Sequence, residues 1–411
     1  MKRSVSILLA LVVWTGTAIG GPLEDGNAAY LKQNYATAFE LFRALANQGN
    51  AEAQFNLGVM YDNGNGVPKN EQQAVFWYRK AADQGYAQAQ VNLGNTYLDG
   101  RGVPKNSQLA LLWYRKAAEQ GFVQAQFNLG VMYDTGNGVP NDDRQAVFWY
   151  RMAAAQGDVA AQYNLGNMFL GGRGVAKDEQ QALLWHRKAA DQGYAAAQFN
   201  LGVMYDNGEG VAKDDQQAVF WYRNAAEQGH AAAQGNLGLL YDKGKGVPKD
   251  DQQAVYWYRK AAEQGKAAAQ FNLGNMYLDG RGTPRDDQQA VFWYRKAAEQ
   301  GEAVAQFNLG NMYGNGRGVP KNDQQAVFWF RKAADQGDAD AQGNLGIMYA
   351  KGNGVPKNEQ QAYFWWLLAS ASGNAIATRN RDIIEKNLLP TQRAAAQAAA
   401  RDWKPKVAAL K

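Results

Sequence analysis

Nucleophilic catalysis needs a hydroxyl or thiol held beside a base, and beyond residue 20 this chain offers few such groups. It has no cysteine, which excludes thiolate catalysis, thiolate metal sites and disulfides. Three serines remain there (Ser107, Ser370 and Ser372), together with the two histidines His186 and His230. No serine is followed by lysine three residues on, so the Ser-x-x-Lys arrangement of penicillin-recognising enzymes is absent. Register accounts for both histidines. His186 stands in a column otherwise held by Tyr78, Tyr114 and Tyr150, so it replaces a packing aromatic. His230 stands in a column that also accepts Tyr86, Phe122, Asp158, Tyr194, Lys266 and Glu302, and that column reads as tolerant. The paired acids Asp142–Asp143 and Asp250–Asp251 could ligate a hard cation, but they sit at helix starts, where capping is the expected role. Each Gly-x-Gly stretch ends a helix instead of joining a strand to one, which argues against a phosphate cradle. The expectation is a non-enzyme with no catalytic residue, no cofactor and no metal.

The elements that carry these residues are set by repetition. Glutamine recurs every 36 residues at 54, 90, 126, 162, 198, 234, 270, 306 and 342, and tryptophan keeps the same step from Trp77 to Trp365. A period in the thirties with two helix-like segments per unit marks an α-solenoid. Each unit of such an array contacts only its neighbours, so an extended surface forms in place of one closed pocket. The predicted fold is all-α: a right-handed α-solenoid of stacked antiparallel helix pairs, about twenty-two helices in all.

One unit, Ala51 to Tyr86, shows how a pair arises. Ala53, Leu57, Met60 and Tyr61 share one face at helical spacing. Gly58 and its counterparts through Gly346 lie inside that first helix. Interior glycine costs roughly 0.5–1 kcal/mol relative to alanine, so close backbone contact with the adjoining helix is expected there. The stretch Asp62–Lys69 ends the helix, with Gly64 and Gly66 free to take positive φ and Pro68 unable to continue it. Asn70 then caps a second helix, and Gln73 forms a capping box with it. The same box recurs as Asp178 with Gln181, Asp214 with Gln217 and Asp250 with Gln253. Ala74, Trp77, Tyr78 and Ala81 face the core, and Gly85 closes the unit.

Four segments follow. Residues 1–20 read as a Sec-type signal peptide: Lys2 and Arg3, the apolar run Val5 to Trp14, then the small residues Gly16, Ala18 and Gly20. Residues 21–50 form a capping helix pair, 51–374 hold nine 36-residue repeats, and 375–411 form C-terminal capping helices. In that last segment a polar helix covers Ala375–Lys386, and Pro390 opens a helix running through Trp403. Periplasmic or secreted localisation is expected, with no stable membrane insertion after signal cleavage. The formal charge of +5 misleads, because residues 1–20 carry +2 and 379–411 carry eight Lys/Arg against three Asp/Glu. The array is left close to neutral without a basic stripe, so nucleic acid is not an expected partner.

The string AEAQFNLGVMYDNGNGVPKNEQQAVFWYRKAADQG resembles the Sel-one-like repeat, a branch of the tetratricopeptide-like solenoids with a longer intra-repeat loop. The hallmarks are the Ala-x-Ala-Gln start, Leu-Gly-x-Met-Tyr, Gly-x-Gly-Val-Pro and Trp-Tyr-Arg-Lys-Ala-Ala, and they extend over about 50 to 374. The resemblance implies a scaffold that assembles protein complexes, in bacteria often exported and linked to envelope regulation, signalling or host contact. Some cysteine-rich relatives are associated with penicillin binding or β-lactamase activity. The alternative this implies, a peptidoglycan- or β-lactam-related hydrolase or binder, is weakened by the absence of cysteine and would be revived by nitrocefin turnover; a glycan-binding role, with cell-wall contact, is a further alternative.

Two variable columns move together. Asn95 goes with Arg101, Asn167 with Arg173, Asn275 with Arg281, and Asn311 with Arg317. Where Val59, Val131, Val203, Leu239 or Ile347 replaces the asparagine, the loop residue is Asn, Glu or Lys. Duplication of a two-unit block would copy both residues without coupling. Alternatively, the first helices line the concave face, as the resemblance implies, and the amide and guanidinium donors meet a protein or peptide partner there.

Overall fold

The computed structural model describes residues 21–406. The signal-peptide reading of 1–20 and the last five residues lie outside the described residues. The described chain contains α-helices, one 3-10 turn and no strand, and none of these helices is long and apolar enough to cross a membrane. Contacts divide it into two compact units, with the division along the chain falling between Trp185 and His186.

The first unit contains α1 (Pro22–Leu31), α2 (Tyr35–Asn47), α3 (Ala51–Asn63), α4 (Glu71–Asp83), α5 (Ala87–Asp99), α6 (Ser107–Glu119), α7 (Val123–Thr135), α8 (Asp143–Ala155), α9 (Val159–Gly171) and the start of α10 (Glu179–Asp191). The second contains the rest of α10, α11 (Ala195–Asn207), α12 (Asp215–Glu227), α13 (Ala231–Lys243), α14 (Asp251–Glu263), α15 (Ala267–Asp279), α16 (Asp287–Glu299), α17 (Ala303–Asn315), α18 (Asp323–Asp335), α19 (Ala339–Lys351), α20 (Glu359–Ala371), α21 (Ala375–Ile384) and α22 (Pro390–Asp402). In the first unit from α1 to α9, and in the second from α11 to α20, each first helix packs on the second helix of its own repeat and each second helix on the next first helix.

The local signals act where the sequence places them. Gly64 ends α3 at φ +76, and Asn70 Oδ1 accepts the Gln73 backbone N–H at 3.0 Å to start α4. The expected capping box forms only on that side. The Asn70 backbone N–H donates instead to Tyr61 O at 2.9 Å, as Asp250 N does to Tyr241 O at 3.0 Å. The loop thus folds back on the first helix, and the glutamine side chain is not needed there. At Gly58 the close neighbour is an aromatic ring more than a backbone: an added methyl would lie 2.7 Å from Tyr78 Cδ1 and 3.3 Å from Ala74 O.

Two side chains join one repeat to the next. Gln54 Nε2 donates to Ala46 O of the preceding pair at 3.1 Å, while its Oε1 accepts from Gln84 at 2.8 Å. A buried amide must have both ends satisfied, and this pattern satisfies both. Gln342 is the exception. Ser372 stands where other repeats carry the second glutamine, and Gln342 Oε1 is buried without a partner. Trp77 packs with Phe39, Phe42, Leu57 and Met60, and Trp329 packs with Val291, Tyr294, Leu309 and Met312. The indole N–H groups of Trp77, Trp257 and Trp329 are buried without an acceptor, so the column is kept for ring area and shape. At the C-terminus α22 stops at Asp402, one residue short of the expected end, and Trp403 leaves in an extended conformation.

Candidate partner-binding surface

The co-varying asparagines and arginines belong to a polar ladder whose purpose begins with a buried phenol. Tyr78, Tyr114, Tyr150, Tyr222, Tyr258 and Tyr294 are buried beside the interior glycines. Burial raises the Tyr114 and Tyr294 hydroxyls above the ordinary phenol range, so each stays a neutral donor that needs an acceptor. Two solutions occur. Tyr114 donates to Asn95 Oδ1 at 2.6 Å, and Tyr294 donates to Asn275 Oδ1 at 2.6 Å. Where Val131 stands at that place, an aspartate three residues later serves: Tyr150 donates to Asp134 Oδ2 at 3.1 Å, whereas the Tyr258 hydroxyl is buried without a partner.

An aspartate used this way carries charge into a part-buried position, and the next repeat supplies a cation. Arg101 Nη1 lies 3.1 Å from both oxygens of Asp62. Arg173 Nη2 reaches Asp134 at 2.5 Å and Asp143 at 2.6 Å. Lys245 pairs with Asp206, and Arg281 Nη1 lies 2.5 Å from Asp242. The physical pairing therefore joins an aspartate to the following repeat's loop. Alternation of the two repeat types is what makes asparagine and arginine appear together within one repeat. Where Leu278 replaces the aspartate, Arg317 Nη2 turns to the Leu278 carbonyl at 3.2 Å and to Asp287 at 3.0 Å. Where Phe330 replaces tyrosine, Asn311 Oδ1 accepts from Asn344 at 3.2 Å instead. Asn167, on α9, lies in the same column as Asn95 and also has an interaction of its own.

This account predicts coupling. Tyr294→Phe should cost about 1 kcal/mol by leaving the Asn275 amide oxygen without its donor. The double variant Tyr294→Phe with Asn275→Val should recover most of that loss, giving a coupling energy near 1 kcal/mol in urea denaturation. Zero coupling would remove the hydroxyl as the reason for the asparagine.

The residues weighed for chemistry have structural uses. Ser107 Oγ donates to Asn137 Oδ1 at 3.2 Å, and Ser370 Oγ donates to Trp366 O at 2.5 Å. Asp142 and Asp250 cap α8 and α14, while Asp143 and Asp251 face Arg173 and Arg281. His186 is fully buried, with Asn200 Nδ2 at 3.4 Å from its Nε2. Burial lowers its pKa to about 4. His230 does more than occupy a tolerant column. Its Nδ1 accepts the Ala233 N–H at 3.3 Å to cap α13, and its ring stacks on Phe199 with centroids 4.7 Å apart.

Sequence reading missed the surface that is left over. In the first unit Phe76, Leu112, Phe148 and Leu184, and in the second Phe220, Tyr256, Phe292 and Phe328, are each 44–51 % exposed. Each precedes a tryptophan of the inter-repeat core. Adjacent residues on a helix point about 100° apart, so both cannot face that core. The signal was present in the sequence as a large apolar residue before every such tryptophan. Phe76 meets Trp77 edge-on at 5.0 Å between centroids, and Lys80 Nζ stands 4.9 Å over its ring. Phe328 and Lys332 repeat the second contact at 5.1 Å. A large apolar side chain thus stands half-exposed at the same place in each of these repeats.

The Sel1 repeat family model matches ten consecutive segments: 21–50, 51–86, 87–122, 123–158, 159–194, 195–230, 231–266, 267–302, 303–338 and 339–374. The shortened pair at 21–50 is matched along with the nine full units. Among solved structures, the chain is similar to a protective antigen present in uropathogenic Escherichia coli strains that displays an SLR fold. Identity is 41 %, coverage is 93 % of this chain and 83 % of that one, and the TM-score is 0.84. It is also similar to a Sel1 repeat protein from Oxalobacter formigenes, at 37 % identity, covering 74 % of this chain and 87 % of that one, with a TM-score of 0.58. Among curated proteins no relative matches. Nine full repeats, a shortened tenth and a relative aligned over nearly the whole length lead to one assignment: the chain belongs to the Sel1-repeat family.

Proposed function

We propose that this protein is an exported, non-enzymatic scaffold that binds partner proteins across several repeats at once. Sel1-repeat solenoids are generally non-catalytic and bind protein partners. The observation that carries the reading here is the row of half-exposed side chains Phe220, Tyr256, Phe292 and Phe328, with its counterpart in the first unit. A partner touching several rungs gains avidity from each without needing a deep pocket. The Asn95–Arg101 type columns serve binding indirectly on this reading, because their ion pairs fix one repeat against the next. Export is supported by Lys2, Arg3 and the apolar run after them. A relative described as a protective antigen fits a periplasmic or secreted location.

The test is crosslinking in intact cells followed by mass spectrometry, comparing the native chain with Phe292→Gln plus Phe328→Gln. Glutamine keeps a helix-compatible stem, so helical content should hold. Partner recovery should fall at least about ten-fold, since aromatic anchors dominate interface energies. Unchanged recovery would move the contact to the first-helix face. Finding the chain in the cytoplasm after fractionation would end the export reading.

A further inference from the structure

Seven of the eight second helices from α4 to α18 end on an acid: Asp83, Glu119, Asp191, Glu227, Glu263, Glu299 and Asp335, with Ala155 the exception. An acid at a helix C-terminus opposes the helix dipole, and a lysine three residues earlier offsets it in six of the seven helices. Asp335 has a second cation from the tail. After α22 the chain runs on in an extended conformation through Trp403, Lys404, Pro405 and Lys406, and it crosses the turn between α18 and α19. The Lys406 backbone N–H donates to Asp335 O at 2.7 Å, and Lys406 Nζ lies 2.9 Å from Asp335 Oδ2. A methyl placed on Gly337 would touch Pro405 Cγ at 3.6 Å and the Trp403 ring at 4.0 Å. Trp403 packs, part-buried, on the cluster that includes Ala333, Ala334 and Leu368.

The acid-and-glycine turn recurs bare, with Lys116, Met152, Lys260 and Lys296 in the column of Leu368. Glu227 with Gly229, and Glu263 with Gly265, repeat the turn in the second unit, and Asp83 with Gly85 and Glu119 with Gly121 repeat it in the first. All are exposed, whereas Asp335, Gln336 and Gly337 are half-buried under the tail. Nothing lies within 4 Å of a methyl placed on Gly85, Gly121, Gly229 or Gly265. Each bare turn offers the carbonyl of the helix's last residue, a carboxylate seven residues beyond an exposed apolar rung, and a glycine over which a chain can pass closely.

We propose that these open turns are docking sites for an extended basic segment of the Trp-Lys-Pro-Lys kind on a partner protein, and that the chain's own tail fills one of them. The aromatic residue covers the turn, proline holds the segment extended, and lysine three residues after the tryptophan meets the acid. The inference deepens the scaffold reading by naming the partner's chemistry, yet it does not depend on the aromatic row, so the two can fail separately.

The test uses the full chain and a fluorescent peptide of residues 399–406. Saturable binding at more than one site per chain is expected, with Lys406→Glu in the chain adding a site. Trp403→Ala within the peptide should weaken binding about ten-fold, and the chain variant Glu119→Gln, Glu227→Gln and Glu263→Gln should lower the number of sites by the three turns it alters. These acids are surface groups, and circular dichroism checks that the variant remains helical. Absence of saturable binding, or indifference to the tryptophan or to the acids, overturns the proposal. Self-association in sedimentation that disappears with Trp403→Ala in the chain would also overturn it, by giving the open turns to the tail of a second copy.

Discussion

Replacing Gly274 with valine is expected to cost about 3 kcal/mol, at the upper end of what overpacking a core produces. A Cβ at this position lies 2.7 Å from Tyr294 Cδ1 and Cε1 and 3.4 Å from Ala290 O. The ring cannot retreat, because its hydroxyl is held by Asn275 on the same helix as the glycine. Valine then adds branching on top of that overlap, against a helix-propensity gain of only a few tenths of a kcal/mol over glycine. Pairing it with Tyr294→Ala should give a loss smaller than the sum of the two single losses, because the smaller side chain vacates the space. Urea denaturation followed by circular dichroism measures all three variants. In a stacked array the interior loss also weakens coupling between neighbours, so the Gly274→Val transition should broaden or split. A sharp transition at the native midpoint would refute the packing account of the interior glycines.

The second large effect is set by pH. His186 has its pKa lowered by burial to about 4, against roughly 6.5 for the ring in an unfolded chain. As pH falls through 6.5 the unfolded chain takes up a proton that the folded chain refuses, so acid favours unfolding. The stability tied to the neutral ring is full above about 6.5, declines down to about 4 and levels off below. Two and a half pKa units correspond to a loss on the order of 3 kcal/mol. His186→Tyr places at this position the side chain used by neighbouring repeats, and it does not titrate in that range. Native stability minus variant stability should therefore fall by on the order of 3 kcal/mol from pH 7 to pH 4, as followed by urea midpoints at several pH values. Parallel pH profiles would show that the imidazole is not held neutral by burial.

Particular residues show how much was legible in advance. Gly64 and Asn70 announce the end of one helix and the start of the next through local backbone geometry, and the structure places them accordingly. The buried faces of α3 and α4 follow from helical spacing in the same way. The interior glycines were readable as sites of close approach, but not as seats for a tyrosine ring twenty residues on. The capping boxes misled for a related reason: the partner taken by the Asn70 N–H is Tyr61 O, which competes only after the loop has folded back. Asn95 and Arg101 were visible as a correlated pair, yet their bonds go to Tyr114 and to Asp62 of the preceding repeat.

The sequence alone determined the period, the helix pairs and their ends, because these depend on propensities, caps and apolar spacing within a few turns of chain. It also determined the family, because the repeat motifs recur in every copy. Tertiary structure decided which polar residues are consumed and which surface is left. The bonds that settle this span 16 to 39 residues, as from Tyr150 to Asp134 and from Arg101 to Asp62, and the tail's hold on Asp335 spans 71. A hydrogen bond or ion pair is chosen by distance after stacking, and two residues of the same type in one column differ only in what the neighbouring repeat brings against them.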